Sequence, residues 1–162
     1  MKRLYAVTLA VIIMAFLIPL APYMAVSGDS PYYTHFVYMF GHANILHWLI
    51  NGWALLALHN LFRPYRLFIA YILSVLMTFS PLISHTSPLV GSSVLTCFFF
   101  GFMLPWLYYK SKVSAFMMTA LILVGFFIPG IAALPHLIMF VSGFCWCFVE
   151  RIYHSFTNFV NS

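Results

Sequence analysis

Acidic side chains are almost missing from this chain. Asp29 and Glu150 are its two carboxylates in 162 residues, against seven Lys and Arg. A soluble domain carries about 25% charged residues, whereas here 6% are charged and 64% are hydrophobic. That leaves too little charge to cover a water-facing surface and excludes an ordinary soluble domain. The basic residues are scattered in ones and twos, without the basic stripe that a nucleic-acid binder presents, so no nucleic-acid partner is expected. Cysteine is scarce as well. Cys97, Cys145 and Cys147 all lie in apolar runs and read as small buried hydrophobes, not as a disulfide framework.

Long apolar runs take the place of charge. They cover residues 4–26, 43–62, 65–83, 89–109, 113–128 and 131–153, each near the ~20 residues that cross a bilayer as a helix. The expectation is an all-α membrane protein, one domain over 1–162, with six transmembrane helices and no repeat. The first run is too long for a signal-peptide core of about 7–15 residues and is read as a membrane helix. Pro19 and Pro22 should kink or end its outer part. Residues 27–44 read as an irregular loop whose aromatics suit the membrane–water interface. Breaks are expected at 84–88 and at Pro129-Gly130, and a short polar tail over the last nine residues.

The basic residues test this layout. Lys2 and Arg3 precede the first span, Arg63 and Arg66 fall between the second and third, Lys110 and Lys112 between the fourth and fifth, and Arg151 at the end of the sixth. All seven land on one side, which the positive-inside rule makes the cytoplasm, together with both termini. The chain reads as a bare core with no appended domain or eukaryotic sorting signal in view, and a multi-pass protein of the bacterial inner membrane is expected.

A few polar residues interrupt the oil. His47 and Asn51 are four apart and share one helix face. His42 lies just before them, Gly91-Ser92-Ser93 opens the fourth span, and His136 opens the sixth. In the six-span layout His47, Ser93 and His136 all sit a few residues below the outer surface. Ionisable groups at such depth are costly and call for a functional explanation. A serine and a histidine brought together make a nucleophile and general base. A second histidine, an amide and a backbone N–H are donors for an oxyanion. The chemistry this suggests is acyl transfer or peptide hydrolysis. Ser93, Cys97 and Gly101 recur every four residues, the small-residue pattern that lets membrane helices approach closely. Taken singly, each residue also has a plainer reading. Ser93 can be a packing serine, His136 a core histidine and Asn51 interhelical glue. Ser92 is the neighbouring decoy, about 100° round the helix from Ser93. His35, His59, His85 and His154 read as interfacial.

In these residues the chain resembles the rhomboid family of intramembrane serine proteases, in a divergent, minimal six-span form. Residues 36–44 resemble the loop leading into that family's second helix. His42, His47 and Asn51 match its His-x4-His-x3-Asn pattern, Gly91-Ser92-Ser93 its Gly-x-Ser, and His136 with Gly143 its last-helix histidine and packing glycine. The resemblance implies Ser93 as nucleophile and His136 as general base. It implies an oxyanion hole of His47, Asn51 and the Ser93 N–H, with His42 and Gly91 in support. It also implies no cofactor, and as partners membrane-anchored substrate proteins cut near the outer end of their helix. A Ser–His dyad without a carboxylate agrees with acids confined to Asp29 in a loop and Glu150 on the cytoplasmic side.

The chain departs from the family at Val94, where a small residue is usual, at Cys97, where an aromatic often stacks on the histidine, and at Pro135 and Met139 beside His136. The family's frequent Trp-Arg pair is missing near Tyr33-Thr34. Val94 and Met139 add bulk where two helices should touch, which leaves open whether Ser93 and His136 stay together. Two functions therefore stand side by side: a divergent peptidase, and an inactive relative that binds transmembrane helices as a chaperone or adaptor. A haem or metal site on His47 and His136 is a third class, for which no ligand cluster with zinc-like spacing appears. The spans show no paired broken segments of a transporter.

Overall fold

A computed structural model describes residues 1–80, 88–128 and 132–160. Among these residues the chain is helical, and no strand forms beyond a single two-residue bridge. Helix α1 (Lys2–Phe16) ends where Pro19 enters a 3-10 turn, and a short α2 (Ala21–Met24) follows with Pro22 in its first turn. The two prolines bend the pair by 54°, as a missing N–H and a ring clash require. The loop after it is less irregular than expected. It holds one turn of helix, α3 (Thr34–Val37), and a 3-10 turn over Tyr38–Phe40.

Helix α4 (Ile45–Leu58) starts at Asn44, whose side chain accepts the His47 N–H at 2.9 Å, a regular N-cap. Helix α5 (Pro64–Thr78) starts on Pro64, where a proline costs no hydrogen bond. Helix α6 (Ser93–Lys110) is followed after one residue by α7 (Lys112–Val124), capped by Ser111. The last helix, α8 (Ala133–Val160), has 28 residues and absorbs most of the expected polar tail. No Gly or Pro follows Gly143 within it, and a polar stretch without a breaker continues the helix it is attached to.

By length and composition one helix, Ala133–Phe156, can cross a bilayer, and the bent pair Lys2–Phe16 with Ile18–Met24 gives a second if taken as one span. Pro64–Thr78 and Lys112–Phe127 are apolar but shorter. The expected span 43–62 shrinks to a helix of 14 residues, with a 3-10 turn at His59–Leu61 taking up its end, while the expected span 65–83 is helical over Pro64–Thr78 and its last three residues lie outside the described ones. The expected breaks at 84–88 and Pro129-Gly130, and His85, lie in whole or in part outside the described residues.

The packing centres on α6. Val94, Phe98 and Phe99 are fully buried on it. A Cβ on Gly101 would overlap the Phe140 carbonyl, and a Cβ on Gly143 would overlap the Phe98 carbonyl. The backbones of α6 and α8 thus touch at two reciprocal points, a contact that only glycine permits. Helix α1 meets α4 through Val11, which packs on Gly52 and accepts the Trp48 indole N–H at 2.8 Å. At the basic end, Arg66 on α5 holds Glu150 on α8 through Nε–Oε2 at 2.9 Å and Nη2–Oε1 at 2.5 Å, and the Tyr65 hydroxyl donates to the same carboxylate. Cys97 and Cys147 are buried as expected, whereas Cys145 is exposed.

Candidate active site

The residues singled out in the sequence lie at the starts of three helices, at the same end of the bundle. Ser93 is the first residue of α6, His136 lies in the first turn of α8, and His47 in the first turn of α4. The approach to α6 is held from two sides. Val26 and Leu89 exchange backbone hydrogen bonds of 2.9 and 2.8 Å, and the Gly91 N–H donates to the Tyr38 carbonyl at 2.9 Å. Tyr38 is fully buried, and its hydroxyl donates to the Ser74 carbonyl on α5 at 3.2 Å. Gly91 then turns the chain with φ +113°, a region that L side chains rarely enter. The turn leaves room for the His47 ring, whose Cε1 would lie 2.7 Å from a Cβ at position 91.

Ser93 and His136 meet. His136 Nε2 lies 2.7 Å from Ser93 Oγ, and His136 Nδ1 lies 2.7 Å from the Ala132 carbonyl. A carbonyl only accepts, so Nδ1 carries the proton and Nε2 is the acceptor for the serine hydroxyl. This is the tautomer a general base needs, fixed by a backbone carbonyl where a carboxylate is lacking. Both side chains are half-buried. Val94 and Met139 do not separate the pair. Both are fully buried, and the helix spacing is set further along by Gly101 and Gly143. Cys97 is buried on α6, and among the described residues no ring stacks on His136.

Ser93 also places its own N–H at the start of an 18-residue helix. The first N–H groups of a helix lack intrahelical acceptors, and the helix dipole adds positive potential there. The remaining oxyanion candidates divide. The half-buried His47 ring faces the His42 ring edge-on at 5.3 Å. Asn51 is buried one turn further along α4, and its amide donates to the His47 carbonyl at 2.8 Å. One amide N–H is thereby spent inside the helix, and one remains.

His42 does not touch Ser93. Its Nε2 lies 3.3 Å from the Oγ of Ser92, and both residues are 1% exposed. Burial, with His47 beside it, pushes His42 down to about 4. The decoy serine is thus a buried partner of the supporting histidine. Sequence reasoning missed this pair, and it missed Ala132, because a backbone acceptor has no residue-type signature. The four-residue step from Ala132 to His136 was the one available signal. His35 was expected at the interface; it is buried instead, bonded to Thr78 at 2.8 Å and stacked on Phe79 at 4.2 Å. Among the described residues no three His, Cys, Asp or Glu side chains converge as a metal site. Comparison with known proteins gave no match, whether to a family model, a curated protein or a solved structure.

Proposed function

We propose that this chain is a six-span intramembrane serine endopeptidase of the rhomboid type, with both termini in the cytoplasm. Its substrates are membrane-anchored proteins, cut near the outer surface. The observation that carries the reading is the 2.7 Å contact of Ser93 Oγ with His136 Nε2, with Nδ1 held on Ala132. In this mechanism Ser93 Oγ attacks the scissile carbonyl carbon and its proton passes to His136 Nε2. The Nδ1–H stays on Ala132 and steadies the imidazolium. The oxyanion is held by the Ser93 N–H, by His47 and by the free amide N–H of Asn51. Collapse of the tetrahedral intermediate breaks the C–N bond as His136 returns its proton to the amine. Water then attacks the Ser93 ester with His136 as base, which frees the acid and restores the serine.

A second reading, a helix-binding protein without catalysis, draws on Asn51. Its amide is already bonded to the His47 carbonyl, which leaves the oxyanion site with few committed donors. Labelling by a serine-directed fluorophosphonate, in membranes or mild detergent, separates the two. The peptidase labels as wild type and as Ser92→Ala, and loses labelling as Ser93→Ala or His136→Ala. A folded wild type that never labels overturns the peptidase reading in favour of helix binding.

A further inference from the structure

Away from the site, an apolar groove of about 550 Å³ opens between α6, α7 and α8 at the basic end. Its floor is made of small or compact residues, Pro105, Ala115 and Thr119, and its walls include Phe144 and Phe148. The Thr119 hydroxyl donates to the Ala115 carbonyl at 3.0 Å, so this hydroxyl is satisfied within its own helix. Polarity gathers at one end, where Lys112 and Tyr108 form the mouth and the ammonium lies 5.8 Å from the Tyr108 ring centre. Lys112 is exposed and has no carboxylate partner among the described residues. Glu150, on the same side of the protein, is committed to Arg66.

A channel that is apolar along its length and carries one unpaired cation at its mouth matches an acyl chain joined to a phosphate. We propose that this groove binds one anionic phospholipid from the cytoplasmic leaflet, its chain over Ala115 and Thr119 and its phosphate at Lys112. Basic pockets between membrane helices on the cytoplasmic side hold anionic headgroups in this way. The proposal rests on the membrane placement of the chain and is independent of the Ser93–His136 chemistry.

The test is native mass spectrometry of the full chain in mild detergent. Phosphatidylglycerol and phosphatidylcholine with identical acyl chains are added in equal amounts. One lipid should stay bound, with phosphatidylglycerol favoured about fivefold, the preference expected of one cation at a membrane surface. Lys112→Glu should abolish that preference. Lys2→Glu, a remote cation on the same side, should leave it intact. Thr119→Phe should fill the floor and expel both lipids, with a melting curve reporting that each variant is folded. Equal retention of the two lipids, no retention, or a preference that survives Lys112→Glu overturns the proposal. Release of the protein from membranes by alkaline carbonate would instead overturn the membrane placement, a separate outcome.

Discussion

Ser92 and Ser93 are neighbours, and each meets a histidine, yet the two pairs differ in burial and geometry. Ser93 and His136 are half-buried and 2.7 Å apart, and the second ring nitrogen is fixed on a carbonyl. Ser92 and His42 are buried almost completely and lie 3.3 Å apart. The His42 Nδ1 finds no well-formed hydrogen bond among the described residues, with the Phe40 backbone alongside. The residue types are the same, so type alone does not decide the role. A nucleophile needs access and a base held in one tautomer, and the first pair has both. The second pair has neither.

The largest effect that sharpens this contrast is removal of the hydroxyls one at a time. Ser93→Ala should lower fluorophosphonate labelling at least ~10³-fold, as loss of a nucleophile does, while Ser92→Ala changes it by less than about tenfold. Equal losses would erase the distinction between the pairs.

Next comes the distance between the helices that carry Ser93 and His136. Gly101→Leu places a side chain against the Phe140 carbonyl, so α6 and α8 must separate. A misplacement of about 1 Å costs roughly a hundredfold in rate. Labelling should fall by that order and melting temperature should drop with it. Labelling at the wild-type rate would show that the helix contact does not set the pair.

Gly91→Ala acts on the turn that both pairs share. Its φ of +113° and the His47 ring both oppose a Cβ. Backbone strain of about 1–3 kcal/mol is expected, seen as a lower melting temperature, together with labelling slowed on the order of tenfold as His47 shifts.

The smallest effect belongs to His42 and is one of stability. Its burial keeps it neutral down to about 4, whereas an unfolded chain takes up the proton near the ordinary value of about 6.5. The folded state is therefore fully favoured above pH ~6.5 and loses that stability as pH falls toward 4, by ~3 kcal/mol. Melting curves across this window should show the loss, and His42→Gln should flatten it. An unchanged slope in the variant would assign the acid sensitivity to another group.

Much of this was legible in the chain itself. Apolar runs placed six helical rods, and Pro19 and Pro22 marked the bend. Gly91-Ser92-Ser93 and His136 picked out two side chains that meet at 2.7 Å although 43 residues apart in sequence. Other features were hidden for identifiable reasons. Helix ends were overrun because hydrophobicity does not stop where 3-10 turns begin. Val94 and Met139 looked obstructive because bulk was counted without knowing the helix register. Position along the helix matters more, since Gly101 and Gly143 bring the backbones together and the larger residues pack around that contact. His35 looked interfacial because nothing in its neighbourhood names Thr78 and Phe79 as partners.

By itself, then, the sequence determined the helical class, the apolar character and the residues able to do chemistry. Those follow from composition and from periodicity within single segments, which are local properties. Which serine meets which histidine was decided by tertiary structure alone, whereas the Asn51 amide and His136 Nδ1 bond carbonyls four residues back along the chain, through local backbone geometry. The first depends on the distance and angle between atoms brought together by packing, and the others on backbone carbonyls, which every residue possesses and no sequence pattern distinguishes.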